Sequence, residues 1–197
     1  MTMKVLMQNN DQNNLFAETD LSVYLDARLD SVFKYVEELP QAQCQQSTPA
    51  VLMRDIVAQF AIAPLALQSD QMQTTYRPDK VTVPAQRAYG EIGRGPTLVA
   101  GHQMCVVLPF TGHAPLWHAR PLHIRESLQP KGIVDAERGT VTLNFAHTSA
   151  PGDNWYERRK GMMLDRIQVF INYQTDMLTQ YAINLNRVVQ SAVAKRF

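Results

Sequence analysis

The chain has 197 residues, of which 45% are hydrophobic and 19% charged, a balance that sustains a folded core and excludes a disordered chain. The formal net charge is +1, and its regional imbalance is too small for a dedicated nucleic-acid surface, which normally needs a denser basic stripe, so direct nucleic-acid binding is not expected. No apolar run approaches the roughly 18 residues of a membrane span. The opening "MTMKVLMQNNDQNN" lacks the basic flank and apolar length of a secretory signal.

Charge is unevenly spread. Residues 1–60 carry four basic and eight acidic side chains, whereas 155–197 carry seven basic and three acidic. The two cysteines, Cys44 and Cys105, are far apart and have no ligand-type spacing. They read as ordinary thiols in a reducing, cytoplasmic setting.

In chain order, "TDLSVYLDARLDSVFKYVEELP" offers Thr19 or Asp20 as a cap. Leu21, Leu25, Leu29, Val32, Phe33 and Val36 then fall on one helical face. Pro40 stops that helix. A second helix is expected from Pro49, behind Ser47 or Thr48, to about Phe60, because a proline in the first turn loses no needed hydrogen bond. "APLALQSD" reads as extended. Strands follow in "QTTYRPDKVTV" and "TLVAGHQMCVVLPFTG". "PLWHARPL" reads as an edge or bent strand, and "KGIVDAERGTVTLNFAHTS" as a hairpin with one buried face. The expected class is α+β: helices first, a central, mostly antiparallel β-rich region, then a long helix. "APGDNW" reads as a linker dividing an α+β domain, 1–154, from a helical segment, 155–197.

Candidates for chemistry are sparse. His102, His113, His118, His123 and His147 cluster in sequence but show no tight metal-ligand pair, and a spacing of five on a strand sends two side chains to opposite faces. "GEIGRGPT", with Gly90, Gly93 and Gly95, lacks the Lys-Ser/Thr ending of a phosphate loop and reads as a mobile turn. No serine elbow or acid/base carboxylate pair is visible. The expectation is no catalytic residue, no metal and no cofactor. A small metal-dependent hydrolase using the 102–147 histidines, His113 and His118 above all, is the alternative from another class. A plain adaptor or structural protein is a third reading.

The terminal segment carries Leu164, Ile171, Leu178 and Leu185 at intervals of seven, with Ile167, Gln174, Tyr181 and Val188 between them, also at intervals of seven. This is a heptad pattern with one polar interruption, although Phe170, Val189 and Val193 widen the stripe as a core-packed helix would. A single helix over 157–197 would be roughly 60 Å long, against roughly 40 Å for a compact domain of the preceding residues. A continuous helix would overhang that domain, so its stripe must meet a partner chain, a bend or something encoded further on. The expectation taken is a self-association seam through these eight residues, in a homodimer or higher homo-oligomer.

The runs "VVLPFTGHAPLWHARP", "GIVDAERGTVTLNF" and "ERRKGMMLDRIQVFINYQTDMLTQYAINLNRVVQSAVAKRF" together resemble an N-terminal region of bacterial proteins of the antiphage-defence type. That region has a "PFTGD" turn before a long helix, and an effector domain, TIR or restriction-endonuclease-like, follows it. This chain departs from the pattern at His113 and Leu122. The resemblance implies a noncatalytic sensing and oligomerisation module, answering a phage-derived trigger, with any enzymatic effector domain lying beyond Phe197.

Overall fold

A computed structural model of the chain describes residues 13–83, 97–122 and 129–196, apart from the side chains of 43–45 and 83. The fold is α+β. Its elements run β1 (Asn13–Asn14), β2 (Thr19–Asp20), α1 (Leu21–Glu38), α2 (Gln41–Gln46), α3 (Pro49–Phe60), β3 (Ala66–Leu67), β4 (Gln73–Val83), β5 (Thr97–Thr111), β6 (Ala119–Arg120), β7 (Lys131–Asp135), β8 (Thr140–His147) and α4 (Asn154–Ala194). No described helix is long and apolar enough to cross a membrane.

The chain divides into two compact units, and the division does not fall at 154/155. One unit takes residues up to 14, 67–110 and 130–167; the other takes 15–66, 111–129 and 168–197. The expected split into a domain and an appended helix is therefore corrected. Residues 154–167 of α4 belong to the first unit and the remainder of that helix to the second. "APGDNW" is a capping turn rather than a linker. Gly152 takes a φ of 83°, the Asp153 N–H donates to Ala150 O at 3.1 Å, and the Asp153 carboxylate accepts from the Trp155 N–H at 2.8 Å. That carboxylate satisfies a first-turn donor that α4 cannot satisfy itself.

The first unit is built on a curled antiparallel sheet in the order β1-β7-β8-β5, with β3 and β4 both pairing with β5. The β7–β8 hairpin forms in the register Asp135↔Thr140, and β8 alternates as expected, with Val141, Leu143 and Phe145 buried. Opposite them on β5, Met104, Val106 and Leu108 are buried on the same face. Pro78 lies in β4, which among the described residues pairs with β5 alone, the edge position where a strand tolerates proline.

The second unit is mainly helical. Thr48 caps α3, accepting from the Val51 N–H at 3.4 Å, with Pro49 in the first turn. Asp20 sits at the α1 cap position but makes no side-chain cap bond. Its carboxylate instead accepts from Arg120 Nε at 2.9 Å and Nη2 at 2.7 Å, where β2 and β6 pair in parallel. "PLWHARPL" is not a continuous strand. Residues 114–118 form a tight 3₁₀ turn that buries Leu116 and Trp117, leaving only two residues for β6. Phe16 adopts a φ of 57°, uncommon for a bulky residue. Its ring is buried between Phe170 at 4.9 Å and Trp117 at 5.3 Å, and its N–H donates to Trp117 O at 2.6 Å. Burying an aromatic side chain contributes about 1.5–3 kcal/mol, comparable to the roughly 1–3 kcal/mol of such backbone strain.

Candidate functional site

The terminal stripe does not form a free seam. Ile167, Ile171, Gln174, Leu178, Tyr181 and Leu185 are buried within the chain, and Leu164 and Val188 are half-buried. Phe170, Val189, Ala192 and Val193 are buried as well, so the apolar arc is wider than a two-in-seven seam. Polar atoms fix where the helix docks in the second unit. Gln174 Nε2 donates to Leu116 O and Ala119 O, each at 2.7 Å, and the Tyr181 hydroxyl donates to Phe60 O at 2.9 Å. The expectation of a self-association seam through all eight is corrected, because a partner helix could reach the six buried ones only after they left their own core. Val169, Tyr173 and Ile183 are the large apolar side chains that this part of α4 leaves exposed.

The histidines disperse as well. His102 and His147 face each other across β5 and β8 in the first unit. His147 Nδ1 accepts from the Ser149 N–H at 3.1 Å, which places the neutral ring's proton on Nε2, and its ring stacks on Trp155 at 4.0 Å. His102 Nδ1 lies 3.2 Å from Ser149 O, and the Tyr156 hydroxyl donates to His102 O at 2.8 Å. These contacts tie the β5–β8 end to the start of α4. In the second unit, His118 Nδ1 pairs with exposed Glu18 at 3.0 Å, and His113 has a different neighbour altogether. His123 and the Gly90–Gly95 loop lie outside the described residues, as does the Cys44 side chain. Among the described residues no three His, Cys, Asp or Glu side chains form a metal-binding group. Cys105 is half-buried on the outer face of β5, and burial raises its thiol pKa, against the nearby Arg77 charge and a Thr75 hydrogen bond.

One constellation in the second unit is of a different kind. Tyr24 and Arg28 are four apart on α1 and so share a face. The Tyr24 hydroxyl lies 2.6 Å from His113 Nε2. His113 is held there by the backbone. Gly112 takes a φ of 103°, and any Cβ on it would run into the Pro64 carbonyl oxygen, while the His113 N–H donates to Ala63 O at 3.0 Å. The Arg28 guanidinium lies 5.4 Å from the Phe60 ring centroid, a cation–π distance. Its Nε is withdrawn from solvent and meets no hydrogen-bond acceptor among the described residues.

Electrostatics fit that geometry. Desolvation and then the Arg28 charge push the His113 pKa below its ordinary value, so the imidazole is neutral at pH 7. A neutral ring accepting at Nε2 from Tyr24 keeps its Nδ1–H as a donor. Desolvation raises the Tyr181 pKa, with the charge and hydrogen bond of Arg28 opposing it. The cluster offers one fixed cation and several neutral hydrogen-bonding groups, with no carboxylate ion-paired to Arg28 among the described residues. It suits holding a negative group better than making or breaking a bond. Of its members, sequence reasoning singles out His113 and Tyr181, for other roles. The Tyr24–Arg28 spacing is the only local signal for the rest.

Comparison of the chain with protein-family models, with characterised proteins and with solved structures found no match in any of the three.

Proposed function

We propose that this chain is a noncatalytic recognition and regulatory module of a bacterial antiphage defence effector. The observation that carries the recognition part is the Arg28 constellation, a half-buried cation beside Tyr24, His113 and Tyr181 with no acid/base carboxylate pair among the described residues. The bonds of His102, His147 and His118 to Ser149 and Glu18 favour this reading over hydrolysis, since they serve local structure. The defence setting rests on the resemblance carried by "VVLPFTGHAPLWHARP" and the long terminal helix. Self-association through the α4 stripe is dropped from the proposal, because those side chains fill the chain's own core.

The test is a phage challenge of bacteria carrying the intact native gene, a version lacking codons 13–196, or an empty vector. The expected outcome is reduced plating with the intact gene alone. Equal plating of the intact gene and the empty vector across a broad phage panel would overturn the defence reading.

A further inference from the structure

We propose that the Arg28 cluster is a binding site for an oxyanion, a carboxylate or phosphate group, with Arg28 as its charge partner, His113 as a second donor, and Tyr24 and Tyr181 positioning those two side chains. The inference deepens the recognition reading above and rests on it. Withdrawing a guanidinium from water is unfavourable unless its charge and donors are matched. Arg28 is half-buried, its Nε meets no acceptor among the described residues, and its neighbours there are an aromatic face, two phenols and an imidazole. None of those neighbours carries negative charge at neutral pH. Arginine's planar fork matches the paired oxygens of a carboxylate or phosphate. A neutral His113 that accepts at Nε2 from Tyr24 keeps its Nδ1–H as a second donor. The Tyr24 and Tyr181 hydroxyl protons are already given to His113 Nε2 and Phe60 O, and so hold the site rather than the ligand. The Phe60 ring, 5.4 Å from the guanidinium carbon, supplies an apolar face beside that charge. Asp26 and Asp30, the acidic residues flanking Arg28 on α1, are exposed and make no ion pair with it among the described residues.

The experiment titrates the full chain with sodium phosphate, sodium acetate and, as an ionic-strength control, sodium chloride. Nitrogen-15 NMR follows the Arg28 Nε–H and the His113 ring. Binding should shift the Arg28 signal saturably and slow its exchange with water. It should also raise the His113 titration midpoint, because an anion beside Arg28 offsets the charge that lowers it. Phosphate alone acting would assign a phosphate source, and acetate acting as well would assign carboxylates too. Arg28→Gln should abolish the response. Tyr24→Phe, which removes the donor that holds His113 with its proton on Nδ1, should weaken binding by up to about tenfold, the scale of the one charge-assisted hydrogen bond that His113 would supply. If Arg28→Gln does not fold, the wild-type titration and Tyr24→Phe still decide. Shifts no larger than those in chloride, or an undiminished response in folded Arg28→Gln, would overturn the site. Because these readouts use the chain alone, they are independent of the plating assay. Anion binding without phage protection would sink only the defence setting.

Discussion

Replacing Gln174 with glutamate changes one NH₂ group into an oxygen at constant shape, and the consequence can be worked from two hydrogen bonds. Gln174 is 1% exposed, and its Nε2 sits 2.7 Å from both Leu116 O and Ala119 O. An ionised carboxylate there would point an oxygen at two carbonyl oxygens, so the folded chain must keep the introduced carboxyl protonated. Holding a group of ordinary pKa near 4.3 neutral at pH 7 costs about 3.7 kcal/mol, at about 1.4 kcal/mol per pH unit. The protonated acid donates one bond where the amide donated two, which adds about 1 kcal/mol. Gln174→Glu should therefore lose about 4–5 kcal/mol at pH 7, a large share of a typical domain's stability. The folded pKa of the new carboxyl lies above its unfolded value, so the unfolded state binds fewer protons and stability rises as pH falls. About 2.7 kcal/mol of the loss should return by about pH 5. Gln174→Met should lose less, about 1–2 kcal/mol, for two reasons. Leu116 O keeps its bond from the Ala119 N–H, and the buried Gln174 Oε1, which has no partner, is removed. Urea unfolding at both pH values, with sedimentation to follow association, measures all of this. A Gln174→Glu chain with wild-type stability at pH 7 would refute the docking of α4, and one that stayed folded but changed oligomeric state would restore the seam.

Leu178→Asp should unfold the second unit rather than dissociate chains, because Leu178 is 6% exposed within the chain; circular dichroism showing an intact fold would contradict this. Gly112→Ala should cost about 3–5 kcal/mol, combining a left-handed backbone with a clash against Pro64 O, read as a lowered urea midpoint. Tyr156→Phe removes the hydroxyl donor to His102 O and should cost about 1–2 kcal/mol, with faster amide exchange around 147–149 in the first unit. For His113, the folded pKa lies below the ordinary 6.5, so the unfolded state binds more protons in the window beneath that value. Stability should fall as pH drops through the ordinary value of 6.5 and below it, and His113→Asn should flatten that part of the profile; an unchanged profile in the variant would count against a desolvated imidazole.

Local elements are legible in the sequence because their signals are local. Thr48-Pro49 begins α3 where cap chemistry places it, and the alternation in β8 reports a face buried on one side. The 3₁₀ turn at 114–118 escapes a sequence reading because its apolar Leu116 and Trp117, set between prolines, look like a strand until burial shows both turned into one core. Asp20 marks a helix start correctly, yet its carboxylate bonds Arg120, 100 residues away, and nothing in the α1 sequence announces that partner. The α4 stripe misleads for a deeper reason. Spacings of three and four generate both a coiled-coil seam and a wide core face. Buried flanking positions decide between them, and Phe170, Val189 and Val193 are buried.

The oxyanion cluster cannot be read from any one segment either. Its members come from α1, the end of α3, the turn after β5 and the middle of α4 in the second unit, and each looks ordinary in its own stretch. What brings His113 to Tyr24 is a backbone requirement one residue earlier. Gly112 alone tolerates both the left-handed conformation and the close passage of Pro64, so the chain turns there and delivers the next side chain against α1. A glycine that looks like punctuation in "PFTGHAP" is therefore the residue on which the site's geometry depends. Substituting it should disturb anion binding and stability together, whereas Arg28→Gln should remove binding while leaving the turn in place. Two variants affecting both properties in that unequal way would separate the scaffold of the site from its charge. If Gly112→Ala instead bound anion with wild-type affinity, the turn would not be what positions His113.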